Sequence, residues 1–277
     1  MWKILAISGG LDSACLLYMY KDDPEVIVAH FNHGTRPSAN DDEKFVENLA
    51  RKYNKKIVIG HANLGEGVSE EKARKARYDF LYGIASEYGH ASIFTAHHLD
   101  DLIETIVINL LRGTGWRGLV PLDAPNIIRP FIDQNLTKAD LLKYAAANNL
   151  TFREDPTNHE DKYLRNRLRD NIKSLPPETK HKLVDLYHKQ KTIKAQAEQI
   201  LVSLLPPDRV YQRAWFNNMG DDVALELLRT ATKSHHISLT RPQLQDFLNA
   251  IQTYAPGKSF NLPGGELVKI HKTYFVL

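Results

Sequence analysis

Cysteine is nearly missing from this 277-residue chain, in which Cys15 is the only one. One thiol excludes an internal disulfide, a Cys-x-x-Cys zinc site and an iron–sulfur cluster held by the chain's own cysteines. Long apolar runs are missing too. The N-terminal Met1-Trp2-Lys3-Ile4-Leu5 reaches Gly9-Gly10 before the apolar stretch of a signal peptide could form. No later segment approaches the ~20 apolar residues that span a bilayer, so a cytoplasmic protein with no membrane partner is expected. Internal repeats and low-complexity tracts are absent. A content of 43% hydrophobic and 25% charged residues excludes a disordered chain. At this length one main domain plus a smaller appendage is expected, and composition alone names no function.

Net charge is small, a formal +3, but unevenly spread. Lys162 to Lys194 holds ten Lys/Arg against three Asp/Glu, or +7, which leaves −4 for the rest. Such a segment is either an electrostatic footprint for a polyanion or a solvated helix face.

What is present centres on Ser8-Gly9-Gly10-Leu11-Asp12-Ser13, between the apolar Ile4-Leu5-Ala6-Ile7 and a helical pattern from Ser13 to Tyr20. A strand, a tight turn and a helix start leave backbone N–H groups and the positive dipole end facing outward, which suits phosphate. The loop lacks the Gly-Lys-Ser/Thr ending of a Walker A motif and the Gly-x-Gly-x-x-Gly of a dinucleotide fold. It carries Asp12 instead. A carboxylate beside phosphates repels them unless a cation intervenes, so Asp12 points to Mg²⁺ bridging to a polyphosphate. The plainer alternative is a chain turn whose Asp12 caps the helix.

Downstream, strands and helices alternate. Strands are expected at Val26 to Phe31, Lys56 to Gly60, Ala91 to Ala96 and Ile127 to Pro130; helices are expected at Asp41 to Tyr53, Ser69 to Tyr88, Leu99 to Arg112 and Thr137 to Asn148. Right-handed crossovers then give an α/β fold, a doubly wound and mostly parallel sheet, with ligand at the strands' C-terminal ends near Ser8, His30 and His97. A long helix from Glu178 to Leu204 precedes a small α+β module. Its helices are expected at Asp221 to Ser234 and Arg241 to Tyr254, and its paired strands at Lys258 to Leu262 and Glu266 to Leu277. The expected division is a catalytic domain at 1–175, a helical linker at 176–205 and a C-terminal domain at 206–277.

Helical spacing puts His97, Asp101, Glu104 and Ile108 on one stripe. Its two carboxylates could hold a cationic amine or a second metal ion, or could simply complement the helix dipole. A zinc site built from His30, His33, His97 and His98 is disfavoured, with no cysteine and no His-Glu-x-x-His context.

The Ser8–Ser13 string resembles the pyrophosphate loop of the ATP pyrophosphatase (PP-loop) group, an adenine nucleotide alpha hydrolase-like fold. Five further strings extend the likeness. They are His30 to Arg36; Glu71 to Tyr78; His97 to Thr105 with Leu111 to Gly115; Arg129-Pro130; and Glu154 to Asn158 leading into Arg165-Asn166-Arg167-Leu168-Arg169. Together they are similar to the tRNA(Ile)-lysidine synthases. Leu102 replaces the usual Gln and Thr35 the usual Leu. The further C-terminal domain of many relatives has no counterpart in the sequence, which resembles the shorter form.

The resemblance implies ATP-dependent adenylation of the wobble cytidine of an isoleucine tRNA with a CAU anticodon. The ε-amine of free L-lysine then displaces AMP. It implies ATP contacts from Ser8 to Ser13, His30 and Arg112, with Mg²⁺ on Asp12. It implies lysine binding by Asp101 and Glu104, one of them the base, and catalytic roles for Asp12 and Arg169. The basic cluster, Arg165 and Arg167 with Lys180, Lys182, Lys189 and Lys191, reads as the tRNA contact, and a homodimer is allowed. The rivals are a thiolating relative, disfavoured by the lone Cys15; an amide-forming synthetase, which would leave the basic segment unexplained; and a non-catalytic RNA-binding module.

Overall fold

The computed structural model describes residues 1–34, 39–62, 68–153, 172, 174–263 and 265–277. Two compact units divide within a long helix, Met1–Tyr187 and His188–Leu277.

The first unit is built on five parallel strands: β1 (Lys3–Ala6), β2 (Val26–Asn32), β3 (Lys56–His61), β4 (Ser92–Phe94) and β5 (Ile127–Ile128). Their order is β3-β2-β1-β4-β5, with β1 central and Ile4 in register between Ile27 and Ile93. The chain winds outward from β1 in one direction and then returns to add β4 and β5 on the other side. That reversal is the switch point at which such sheets bind ligands.

Alternate side chains along the strands face opposite layers. Leu5, Ile7, Val26 and Val28 pack with α1 (Leu11–Met19), α2 (Ala39–Lys52) and, through Leu141 and Ala145, the later helix α6 (Lys138–Ala147). Ile4, Ala29 and Ile93 pack with Leu81, Ile84 and Ala85 of α3 (Glu70–Glu87). Both sheet faces are therefore dry, which is why the strands read as apolar runs rather than as alternation.

A third apolar cluster joins Leu102, Ile103 and Ile106 of α4 (Leu99–Leu111) to Ile132 in the short α5 (Pro130–Asp133) and to Val184 and Tyr187 of α7 (Pro177–Ser203). Helix α6 (Lys138–Ala147) opens on a capping box in which Thr137 and Asp140 satisfy each other's backbone N–H.

The second unit buries its own core around Phe216, Leu228, Phe247 and Phe275, from α8 (Arg213–Asn218), α9 (Asp221–Ser234), α10 (Arg241–Thr253) and the C-terminal strands. The expected final strand is divided in two. β8 (Leu267–Lys269) pairs antiparallel with β7 (Ser259–Asn261), whereas β9 (Tyr274–Val276) pairs with β6 (Val210–Gln212), a strand not anticipated. Buried Arg213 holds the segments together, donating to the Ile251, Tyr254 and His271 carbonyls at 2.7, 3.0 and 3.1 Å. Among the described residues no helix is long and apolar enough to cross a membrane.

Candidate active site

The loop after β1 is closed by a single hydroxyl. Ser13 Oγ accepts from the Ser8 and Gly9 N–H groups at 3.2 and 3.0 Å and donates to the Gly10 carbonyl at 2.9 Å. Gly9 has φ +91°, and a Cβ there would meet Phe45 at 3.2 Å and Val46 at 3.3 Å, so this position requires glycine. Gly10 does not share that conformation. Its φ is −73°, and it caps α1 without a side-chain hydrogen bond. The first N–H groups of α1 therefore face outward with no side chain to satisfy them, as an anion site requires. Arg153 braces the loop from outside: its N–H donates to the Gly9 carbonyl at 3.0 Å while its Nε lies 2.6 Å from Asp42.

A cavity of about 620 Å³ opens above the C-terminal ends of β1, β2 and β4. Ser8, Gly10, Asp12 and Ser13 form its floor, His30, Asn32 and His33 one wall, and His97 and Asp101 another. His30 Nδ1 donates to the Ile7 carbonyl at 2.8 Å, so in the neutral ring Nε2 is the acceptor. Asn32 donates to Glu43 Oε2 at 2.8 Å, and that hydrogen bond, together with His61, holds the Glu43 carboxyl below its ordinary value.

Asp101 stands one turn into α4, where its Oδ2 accepts the His98 N–H at 3.0 Å and so caps the helix. Burial pushes its carboxyl up; His98 opposes this, while Asp12 and Glu104 add to it. Glu104 lies on the same stripe one turn deeper and is buried. Thus Asp12, from the phosphate loop, shares one electrostatic field with Asp101 and Glu104, three residues apart on α4.

Other anticipated residues lie elsewhere. Arg112 is exposed at the C-terminal end of α4 and does not line the cavity. It is eleven residues beyond Asp101, or roughly 16 Å along the helix axis. Arg165, Arg167 and Arg169 lie outside the described residues. On α7, Lys182, Lys189 and Lys191 are exposed and Lys180 is partly covered; Lys182 pairs with Glu178 at 2.7 Å.

The structure adds residues that sequence reasoning left without a role. Arg77 and Tyr78 of α3 line the cavity. The Tyr78 hydroxyl accepts from Arg74 Nη2 at 3.5 Å and interacts electrostatically with buried Arg129. Both Arg74 and Arg129 belong to strings that carried the resemblance, which was the available signal. Lys138 had no such signal. Its Nζ lies 2.8 and 3.0 Å from the two Asp12 carboxylate oxygens.

That contact also tests the fit of Mg²⁺. Asp12 already offers both oxygens to a cation, and Mg²⁺ is commonly held by one or two carboxylates plus phosphate oxygens and water. No group of three His, Cys, Asp or Glu among the described residues could hold a metal ion by itself. The residues fit a Mg²⁺ that arrives with polyphosphate.

A central parallel sheet whose switch point carries a glycine loop, a helix N-terminus and an acid defines a phosphate-binding α/β domain. The model for the PP-loop domain matches residues 3–175, and the chain belongs to that family of ATP-binding domains. Beyond the family, the chain is similar to curated proteins named tRNA(Ile)-lysidine synthase. One from Thermotoga maritima is 36% identical over 63% of this chain and 45% of its own length. One from Streptococcus gordonii is 29% identical over 98% of this chain and 64% of its own length. The chain thus spans about half to two thirds of these relatives. Among solved structures, a U34-tRNA thiolase from Methanococcus maripaludis, determined with its [4Fe-4S] cluster, superposes with a TM-score of 0.57 at 20% identity, covering 68% of this chain and 72% of that one. That likeness is one of fold.

Proposed function

We propose that this protein ligates free L-lysine to the wobble cytidine of an isoleucine tRNA, using ATP and releasing AMP and diphosphate. The observation that carries the reading is the meeting of Asp12 and Asp101 in one cavity, so that the phosphate loop and an amine-binding acid face the same ligand space. Similarity to the lysidine synthases along nearly the whole chain supports it.

The first step transfers AMP to the cytosine carbonyl oxygen. That oxygen attacks the α-phosphorus, the bond to the β-phosphate's bridging oxygen breaks, and diphosphate leaves. Backbone N–H groups of the Ser8–Ser13 loop orient the phosphates at no reorganisation cost. Asp12 would hold Mg²⁺, which neutralises polyphosphate charge.

In the second step the lysine ε-nitrogen attacks the activated ring carbon and AMP departs with its oxygen. An ε-ammonium with a pKa of ~10.4 must first lose a proton. Asp101 is suited to accept it: its raised carboxyl is a stronger base than an ordinary aspartate, and Glu104 beside it offsets the positive charge that grows on the nitrogen as it attacks. Arg169 and Arg112 serve phosphate or nucleobase, Arg112 from outside the cavity. Arg165, Arg167, Lys180, Lys182, Lys189 and Lys191 bind tRNA, and a homodimer is compatible with these roles.

The deciding experiment incubates the protein with ATP, bulk tRNA and each labelled amino acid in turn. Incorporation of lysine alone is expected. Incorporation of none, or of another amino acid, would refute the reading.

A further inference from the structure

The phosphate loop has no lysine of its own, yet an ammonium stands on it. Lys138 opens α6, 126 residues after Asp12, and chelates both oxygens of that carboxylate at 2.8 and 3.0 Å. Its base is fixed as well as its tip. The Lys138 N–H donates to Asp100 Oδ2 at 2.7 Å, and the Thr137–Asp140 capping box sets the turn around it. Lys138 is thereby tied to the start of α4, which carries Asp101, and to the start of α1, whose N–H groups face the cavity. Stability is a poor reason for this arrangement. The side chains are 45% and 30% exposed, and ion pairs of that exposure contribute only ~0–1 kcal/mol.

We propose that Lys138 is a diphosphate-binding residue, which holds the Asp12 carboxylate until Mg²⁺ takes it and then turns its ammonium to the β- and γ-phosphate oxygens. The inference rests on the nucleotide reading above. A divalent ion on the same carboxylate repels the ammonium that sits on both of its oxygens, so arrival of the ion displaces Nζ. The displaced group keeps three donors on a flexible four-carbon stem whose Cα does not move. As the bond between the α-phosphorus and the diphosphate breaks, its electron pair leaves on the diphosphate oxygen. The ammonium, retaining its protons, offsets that charge. A Walker loop carries the equivalent lysine within itself; here a helix from the far side of the sequence supplies it.

The test uses the full chain with inorganic diphosphate or ATP, titrated calorimetrically in EDTA and then across a Mg²⁺ series. Lys138→Met keeps the stem and removes the charge. It is expected to weaken diphosphate binding at saturating Mg²⁺ by about tenfold or more, the loss of one charge-assisted contact, and to lower the Mg²⁺ midpoint for ATP binding, because the competitor for Asp12 is gone. Lys138→Arg guards against a folding defect: its planar fork should hold the carboxylate more tightly and raise the Mg²⁺ midpoint. Diphosphate affinity equal to wild type in Lys138→Met at saturating Mg²⁺, or a Mg²⁺ midpoint that neither variant moves, would overturn the proposal. Variants that shift as expected in a protein that transfers no lysine to tRNA would sustain it and refute the ligation reaction instead.

Discussion

Asp101 caps α4 while burial, Asp12 and Glu104 work against its ionisation and His98 works for it. A carboxyl whose folded pKa is raised binds its proton more tightly in the native state than in the unfolded chain, where it titrates near ~3.9. Its ionisation therefore costs stability, and the cost appears as pH rises from the unfolded value through the folded one. Asp101→Asn is expected to melt higher than wild type at pH 7, with the difference vanishing below about pH 4. The same variant should lose the acid limb of the kcat profile for lysine transfer; a profile unchanged by it would remove Asp101 as the base. Cys15 makes the opposite case. It is buried, its thiol pushed up to about 11 by burial and Asp12, with Sγ 3.5 Å from the Leu141 carbonyl. Cys15→Ser should therefore retain most activity, and complete loss in a variant with wild-type circular dichroism would revive sulfur chemistry. Asp12 and Asp101 could be read from the sequence because a carboxylate in a phosphate loop, or two on one helix stripe, have few other reasons to be there. Lys138, Tyr78 and Arg129 could not be assigned roles that way. A lysine at a helix start and an arginine before a proline are ordinary locally, and only the tertiary fold brings them to the loop and the cavity wall.

Elements were legible wherever burial on both sides made the pattern continuous. Val26 to Asn32 and Leu99 to Leu111 differ from expectation by a residue at one end, the ordinary fraying of a boundary. Pro130 to Asp133 was missed: Pro130 reads as a strand end, but proline suits the first helical position, and the segment turns into α5. β6 was missed because three residues have no period, and its pairing with β9 is set by the second unit's core. The two loop glycines, alike in sequence, also separate here. Gly9→Ala puts a Cβ at φ +91° against Phe45 and Val46, a strain of about 1–2 kcal/mol that should lower the melting temperature by several degrees. Gly10→Ala meets nothing closer than 3.7 Å. It should melt as wild type does but bind ATP more weakly, since the methyl stands at the helix start where phosphate approaches. Equal melting of the two variants would show that the loop relaxes around Gly9.

At the scale of the whole molecule, the net +7 of Lys162 to Lys194 sets one segment apart from a chain otherwise mildly negative. The long helix α7 crosses the boundary between the compact units, so Lys180 and Lys182 belong to the first and Lys189 and Lys191 to the second. Lys182 is offset by Glu178, an i,i+4 pair that leaves little net charge for a polyanion. Lys189 and Lys191, both exposed, are the sharper test. If they meet tRNA phosphates, neutralising each should remove about one released counterion and flatten the slope of log K against log salt by ~0.7 to 0.9. Lys189→Ala/Lys191→Ala is therefore expected to weaken tRNA binding most at low salt, to flatten its salt dependence by nearly two such increments, and to leave ATP affinity unchanged, because neither lysine lines the cavity at the phosphate loop. A solvated helix face predicts no change in either ligand. Binding measured at several salt concentrations separates the two, since coincident lines for wild type and double variant would mean that these lysines do not touch tRNA.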